Sequence, residues 1–264
     1  TTHNAQVNLL ARNEWGGLRH MPELLAAFCT PNDPAVDRVL GKASQVLRKA
    51  GKADSIDGYR GGSRQRVWEL ASAIYSAIVN QQIGYALPPS SFERNGQKIR
   101  SPGAIDVSKV STCLDTTLLF AAAFEQAALN PIVVLTEGHA LVGLWLEPED
   151  FSSVMITDAE LLRQRLALKE LILIETTLAT QHPSVPFSQA VQAGSKTVSL
   201  DKDSDFVAAV DIRRARDHRI NPLALVVQRH NDVSGELEES VEPAFEEAPL
   251  LPSFTVPVSE DETP

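Results

Sequence analysis

A mostly apolar, alanine-rich segment at residues 114–128, headed by Cys113, is the feature that most constrains the fold. A turn-like stretch at residues 110–112 precedes the segment, and Asn130 with Pro131 ends it. A helix with so little polar surface is stable only when other elements cover it on most sides. The chain must therefore build its core around a buried helix whose first residue is a cysteine.

Cys113 is one of only two cysteines in 264 residues. The start of a helix favours negative charge, so a thiol there is stabilised as the thiolate, which is the nucleophilic form. This position makes Cys113 a candidate catalytic residue, with a packing role as the alternative. The second cysteine, Cys29, lies in an apolar run, and two cysteines in so long a chain do not indicate a disulfide framework. We expect both thiols to be reduced.

Acidic residues are concentrated at the C-terminal end of the chain. The sequence has 34 Asp and Glu against 24 Lys and Arg, and ten of the acidic residues but no Lys or Arg follow residue 230. The remainder therefore carries 24 charged residues of each sign and is neutral. Five prolines and few aromatic residues in the same stretch are typical of a segment that buries too little apolar surface to order itself. We predict that residues 231–264 form a disordered acidic linker or tail that leads to a further domain.

Composition also argues against several classes of protein. No apolar run reaches the ~18 to 20 residues needed to span a bilayer, and the first residues lack the order of a signal peptide. We therefore expect a cytoplasmic protein with no membrane partner. The spacing of His, Cys and carboxylates matches no metal site, and residues 61–63 lack the lysine of a phosphate-binding loop, so no metal and no cofactor are predicted. The basic cluster at residues 213–219 is interleaved with aspartates and is interpreted as a solvated helix face, so direct nucleic-acid binding is not predicted.

Hydrophobic periodicity predicts an α+β fold with four parts along the chain. They are an N-terminal strand and helical segment (residues 1–60), the core (61–180), a helical extension (181–230) and the tail (231–264). The predicted helices cover residues 22–28, 34–50, 64–80, 102–108, 113–128, 158–168, 187–193 and 205–216. The predicted strands cover residues 6–11, 132–135, 140–146 and 171–174. A glycine-containing turn between the second and third strands indicates an antiparallel hairpin, with His139 at the start of its second strand.

Catalysis by cysteine requires a thiolate, an imidazole that pairs with it, and a third group that orients the imidazole. Cys113, His139 and a downstream carboxylate supply these groups in that order. A buried helix followed by a hairpin allows the strand that carries the histidine to pack against the start of the helix. Taken singly, the cysteine is explained by packing and the histidine by a hydrogen bond at a turn, but their joint placement favours catalysis.

The sequence motifs around these two residues are Ser-Thr-Cys-Leu-Asp-Thr-Thr-Leu-Leu-Phe at residues 111–120 and Gly-His-Ala-Leu-Val at residues 138–142. They resemble the core of the transglutaminase-like superfamily, which has a papain-like cysteine protease fold, and the similarity covers residues 64–177. In that superfamily the nucleophilic cysteine opens a buried helix and the catalytic histidine starts a strand. The resemblance therefore implies that Cys113 is the nucleophile and His139 its base, on a helix packed against a small antiparallel sheet.

Four further motifs indicate a narrower resemblance. They are Asn-Glu-Trp-Gly-Gly at residues 13–17, Ala-Ala-Phe at 26–28 with Pro-Asn at 31–32, Pro-Pro-Ser-Ser-Phe at 88–92 and Asp-Ile-Arg-Arg-Ala-Arg-Asp-His-Arg-Ile-Asn-Pro at 211–222. Together they resemble the transglutaminase-like domain of large bacterial proteins that also carry a superfamily 1 helicase. This resemblance implies a fragment that is covalently continuous with a helicase or another C-terminal domain. It also implies a role for the whole protein in nucleic-acid processing or phage defence.

Two carboxylates compete for the third catalytic position. Glu175 follows the predicted strand at residues 171–174 in Glu-Thr-Thr, where the superfamily has an Asp-Pro-Thr-like sequence, so the resemblance favours it. Asp158 is the alternative because it is closer in sequence to His139, but it also suits the N-cap of the predicted helix at 158–168. A glutamate is one methylene longer than an aspartate, so its backbone must lie further from the imidazole.

Stabilisation of an oxyanion requires hydrogen-bond donors beside the nucleophile. The backbone N–H of Cys113 is the natural donor because the first N–H groups of a helix have no partner within it. Tyr85, Gln82 and Thr112 are predicted to supply a second donor or to line the site.

Two functions are compatible with these motifs. The first is a thiol-dependent amide hydrolase, a cysteine peptidase with a Cys-His-Glu triad that acts on a protein or peptide substrate. The second is a degraded transglutaminase-like domain that acts as a protein-interaction or regulatory module. The retained cysteine and histidine favour the enzyme, whereas glutamate in place of aspartate favours the module.

Overall fold

The computed structural model describes residues 9–199, 205–224 and 246–254. Four short strands form two separate ladders: β1 (Glu14–Trp15) is antiparallel to β3 (Gln97–Lys98), and β2 (Gly84–Tyr85) is parallel to β4 (Val110–Ser111). A central antiparallel sheet contains β5 (Pro131–Thr136), β6 (His139–Trp145), β7 (Met155–Ile156), β8 (Leu171–Ile174) and β9 (Phe206–Asp211). The order of strands in this sheet is β7-β9-β5-β6-β8.

Eight α-helices surround this sheet in the part of the chain that the structure describes. They are α1 (Pro34–Lys49), α2 (Arg64–Val79), α3 (Phe92–Asn95), α4 (Pro102–Ser108), α5 (Cys113–Gln126), α6 (Ala159–Ala167), α7 (Phe187–Thr197) and α8 (Ile212–Asp217). Short 3-10 helices cover Pro22–Phe28, Gly58–Gly61 and Thr176–Thr180. The mixture of helices and strands confirms the predicted α+β class. No helix among the described residues combines the length and apolar character that a membrane crossing requires.

Helix α5 is the buried helix around which the core forms. Every side chain from residue 113 to residue 124 is buried. The helix packs against β5 and β6 on one side and against α1, α2 and α4 on others. At its start, Thr112 Oγ1 accepts the N–H of Asp115 at 3.2 Å, and the Asp115 carboxylate accepts the N–H of Thr112 at 3.0 Å. This capping box fixes the residue at which the helix begins, and therefore the position of Cys113.

The central sheet is buried on both faces. Side chains alternate between the faces along each strand, so Val133 and Leu135 join the apolar cluster around α5, whereas Ile132 and Val134 join a second cluster. Leu162 of α6 is part of the second cluster, so α6 covers the face of the sheet opposite α5.

The predicted hairpin is confirmed and brings the histidine to one end of the sheet. In the turn between β5 and β6, Gly138 has a φ of 66°, a conformation that glycine adopts without strain. Thr136 pairs with His139, which is therefore the first residue of β6. Because β6 also pairs with β8 in antiparallel register, with Val142 opposite Ile174, the residue that follows β8 lies at the same end of the sheet.

Two predicted segments differ in the structure. The predicted strand at residues 6–11 is not a strand over residues 9–11, and residues 6–8 lie outside the described residues. A strand forms instead at β1, which pairs with β3. The prediction of a purely helical extension at 181–230 is wrong, because residues 206–211 form β9 between β5 and β7. The core sheet therefore extends beyond residue 180.

The predicted disordered tail also requires a correction. Residues 246–254, which we call the C-terminal strap, lie against the body of the protein; the other residues of 231–264 are outside the described residues. Ala248 and Leu251 pack against the main apolar cluster, and Ser253 forms a β-bridge with Ser63. The composition of the segment alone underestimates its apolar burial. The apolar surface that Ala248 and Leu251 contact is formed by other parts of the chain.

Candidate active site

Cys113 is the first residue of α5 and lies at the deepest point of the site. Its relative exposure is 0%, so the residue is completely buried. The N–H groups at the start of a helix favour negative charge. The fold thus provides the helix start that a thiolate requires.

His139 is held next to this thiol by β6, which packs on α5. Its Nε2 atom lies 2.7 Å from Oε2 of Glu175, and the side chains of the two residues are 27% and 13% exposed. The pair is therefore largely shielded from solvent, which strengthens its interaction. Since Nε2 faces the carboxylate, Nδ1 is the ring nitrogen that remains for the thiol.

Glu175 follows β8 directly and caps the 3-10 helix at Thr176–Thr180. Its Oε1 atom accepts the N–H of Thr177 at 3.0 Å and the hydroxyl of Thr177 at 2.6 Å. Its own N–H donates to the carbonyl oxygen of Ala190 in α7 at 3.0 Å. Both the backbone and the free end of the side chain are thus fixed, which leaves Oε2 aimed at His139.

The charges of the three residues support one another. Burial disfavours a charged imidazole, but hydrogen bonds and charges from Cys113 and Glu175 outweigh it and raise the pKa of His139 to about 10. Burial likewise opposes ionisation of Glu175, yet the bonds from His139 and Thr177 hold the pKa of that carboxyl below its usual value. At neutral pH the site therefore contains an imidazolium paired with a carboxylate. An imidazolium stabilises a neighbouring thiolate and can protonate a leaving amine.

Tyr85 is the predicted site-lining residue that contacts the nucleophile. It is carried by β2, which pairs with β4 immediately before the start of α5, with Tyr85 opposite Ser111. Burial, followed by the charge and hydrogen bond of Cys113, raises the pKa of Tyr85 to about 12. The phenol is therefore protonated at neutral pH and can donate a hydrogen bond beside the sulfur.

The other predicted site residues have different positions. Asp158 caps α6, where its Oδ1 atom accepts the N–H of Glu160 at 2.9 Å, and α6 lies on the opposite face of the sheet from Cys113. Gln82 is exposed in the turn after α2. Thr112 is buried under the start of α5, where its hydroxyl accepts the backbone N–H of its capping box, so it fixes the helix and does not line the cleft.

The sequence did not point to Thr177 or to the pair formed by Arg100 and Asp115. Thr177 binds the carboxylate of Glu175, and Arg100 pairs with the buried carboxylate of Asp115 at 2.9 Å. The only signal in the sequence was the Thr-x-x-Asp pattern at residues 112–115, which is typical of a capping box. In the described part of the chain, no group of three or more His, Cys, Asp or Glu side chains is placed to hold a metal ion.

Comparison of the chain with protein-family models, with curated proteins and with solved structures yields no significant match.

Proposed function

We propose that this chain is a thiol-dependent amide hydrolase, a cysteine peptidase with a transglutaminase-like core. Cys113 is the nucleophile, His139 the acid and base, and Glu175 the residue that orients His139. The observation that carries this proposal is the 2.7 Å hydrogen bond between His139 and Glu175, on an imidazole whose pKa is also raised by the thiol at the start of α5. A histidine with a purely structural role needs neither a buried carboxylate on one side nor a thiol on the other.

The reaction follows from these positions. The thiolate of Cys113 attacks the carbonyl carbon of the amide, and the resulting oxyanion accepts hydrogen bonds from the backbone N–H of Cys113 and from the hydroxyl of Tyr85. His139 gives its proton to the nitrogen, the C–N bond breaks, and the amine leaves a thioester. Water then attacks the thioester while His139 takes a proton from it, and cleavage of the C–S bond releases the acid and restores the thiolate. An amine that replaces water in this step gives cross-linking in place of hydrolysis.

Thiol alkylation tests the central claim. The rate of iodoacetamide labelling at Cys113, resolved from Cys29 by mass spectrometry of the peptides, is measured against pH for the native chain and for His139→Ala. We expect rapid labelling well below pH ~8.5, where an ordinary thiol is half ionised, and a large loss in the variant. Cys29 is the internal control, because burial and the charge of Glu125 raise the pKa of its thiol well above the ordinary value. Labelling of Cys113 with the profile of an ordinary thiol would contradict the enzyme.

The identity of the catalytic acid is tested separately. Glu175→Gln removes the charge that pairs with His139, so it should lower peptide hydrolysis by about 10-fold or more. Asp158→Asn is the matched control, because this residue caps α6 on the other face of the sheet, and the variant should hydrolyse peptides at the native rate. The reverse result would overturn the assignment of Glu175.

The complete burial of Cys113 favours a second candidate, a degraded domain that binds a partner without turnover. On this alternative, Cys113 of the folded chain is labelled slowly at every pH and rapidly only after unfolding. Labelling in native buffer and in urea therefore separates the two functions.

The proposal also covers the larger protein to which this chain belongs and its location in the cell. The motifs at residues 13–17, 88–92 and 211–222 support a bacterial chain that is continuous with a helicase or another C-terminal domain. Two free, buried cysteines support a cytoplasmic location.

A further inference from the structure

A buried carboxylate lies two residues after the proposed nucleophile in α5. Asp115 is 0% exposed and is the third residue of α5, two positions after Cys113. Its carboxylate satisfies the N–H of Thr112 at the start of the helix. The same charge also opposes ionisation of a thiol on the same helical turn. A site that depends on a thiolate therefore needs a positive group that offsets Asp115.

Arg100 supplies that group. Its Nη1 atom lies 2.9 Å from Oδ2 of Asp115, and its backbone N–H donates to Oδ1 at 2.8 Å, so one residue contacts both carboxylate oxygens. The arginine side chain is 40% exposed whereas the carboxylate is fully buried, so the guanidinium reaches in from the surface. An arginine stays charged throughout the physiological pH range, so the compensation is permanent.

We propose that Arg100 is a positioning residue that neutralises Asp115 and so keeps the start of α5 favourable to a thiolate at Cys113. The proposal rests on the thiol chemistry of the proposed function. It assigns the arginine a role through Asp115 and not through contact with the substrate.

Other titratable groups face the same sulfur from neighbouring elements. They are His139 at the start of β6 and Tyr85 on β2, with Glu175 at the end of β8 behind them. All three interact with the thiol or with each other, whereas Arg100 contacts Asp115. Replacing Arg100 therefore changes the charge balance at Asp115 while it leaves the imidazole, the phenol and the catalytic carboxylate in place.

The pH profile of Cys113 alkylation in the full chain tests this role. Arg100→Gln should raise the pH of half-maximal rate by about half a unit to one unit, and lower the rate at pH 7 by about 3- to 10-fold. Arg100→Lys keeps the charge and should restore most of the native profile. The matched control is Arg48→Gln, which breaks an exposed pair with Asp54 at the end of α1 and should leave the profile unchanged.

A double-mutant cycle separates charge compensation from packing. Asp115→Asn keeps an oxygen that accepts the N–H of Thr112 but removes the charge, so the double variant with Arg100→Gln carries neither charge and should return close to the native profile. Asp115→Asn alone leaves the arginine unopposed and should lower the pH of half-maximal rate by about half a unit, which tests the proposal even where Arg100→Gln fails to fold. The proposal is overturned by an unchanged profile in Arg100→Gln, by a double variant whose value stays as high as that of Arg100→Gln alone, or by an unchanged or raised value in Asp115→Asn. If the native chain is alkylated with the pH profile of an ordinary thiol, the proposed function is contradicted. The role of Arg100 is judged separately, from the shifts of the variants relative to the native chain.

Discussion

Glu175 is oriented by a residue only two positions further along the chain. Both donors of Thr177 bind Oε1, the N–H at 3.0 Å and the hydroxyl at 2.6 Å, while Oε2 is left for His139 at 2.7 Å. A glutamate has one more rotatable bond than an aspartate, and this bond must be fixed if the carboxylate is to hold an imidazole. The threonine removes that freedom, which explains how a glutamate serves at this position.

Thr177→Val should therefore weaken the site without changing its shape. Loss of the hydroxyl removes one charge-assisted bond, so we expect about 1 kcal/mol less stability and about 3- to 10-fold slower hydrolysis, with Thr177→Ser close to native. The pKa of Glu175 is lowered in the folded chain, so the stability that its ionised form contributes is present above pH ~4.3 and is lost as the pH falls through the folded value. The difference between the native chain and Thr177→Val, measured by urea unfolding from pH 3 to pH 7, should accordingly shrink at the acid end. If Thr177→Val and Thr177→Ser have the same free energy of unfolding and the same rate of hydrolysis, the hydroxyl contributes nothing.

Sequence reasoning finds a site residue when the side chain is chemically reactive and also lies at a predictable boundary of a helix or strand. Cys113 and His139 stand at the boundaries of strongly patterned elements, and the structure brings His139 beside both the thiol and Glu175. Arg100 could not be found in this way, because its partner is 15 residues away and the contact depends on how β3 turns into α4. Side-chain pairing of this kind is decided by tertiary packing and leaves no mark on periodicity.

At the scale of elements, local pattern predicted α5 and the β5-β6 hairpin but not β9. Residues 206–210 form a short continuous apolar run with two alanines, and periodicity alone does not separate a strand from a helix in such a run. Pairing with β5 on one side and β7 on the other makes it a strand, and both partners are distant in sequence. Strand formation depends on such neighbours more than helix formation does, which is why this element was assigned wrongly.

Asp211, at the end of β9, is a buried carboxyl group whose ionisation should make the free energy of unfolding depend on pH. Asp211 is fully buried and accepts the N–H groups of Arg214 and Phe151, each at 2.9 Å. Burial, opposed by these two bonds and aided by the charge of Asp150, raises the pKa of Asp211 to about 6. An acid with a raised folded pKa favours folding most when it is protonated, so its contribution falls as the pH rises from ~4 to about 6.

Asp211→Asn isolates this contribution because the variant cannot ionise. The free energy of unfolding of the native chain, relative to that of Asp211→Asn, should fall by about 2 to 3 kcal/mol between pH 4 and pH 7. Urea unfolding of both proteins at several pH values measures the difference. A difference that is flat or rises over this range would mean that Asp211 titrates as an ordinary carboxyl.

The whole molecule is joined by contacts between segments far apart in sequence. Arg216 binds Glu125 at 2.7 Å and donates to the carbonyl oxygens of Ala26 and Cys29, so α8, the end of α5 and the first 3-10 helix are held together. It is therefore partly buried, unlike the solvated helix face expected for this basic cluster. The C-terminal strap adds a second long-range connection, because it contacts Lys52 after α1, Ser63 before α2 and Ser188 of α7.

The strap should therefore stabilise the body. Glu246 accepts the N–H of Ser188 at 2.7 Å and its hydroxyl at 3.1 Å, at the start of α7, where a helix favours negative charge. A chain that ends at residue 245 loses this cap and the buried area of Ala248 and Leu251, so its free energy of unfolding should fall by about 1 to 2 kcal/mol. A chain that ends at residue 254 keeps the strap and is the matched control. Because α7 also accepts the N–H of Glu175 through Ala190, the shorter chain should hydrolyse peptides more slowly as well. Equal stability of the two chains in urea would mean that the strap does not hold α7 in solution.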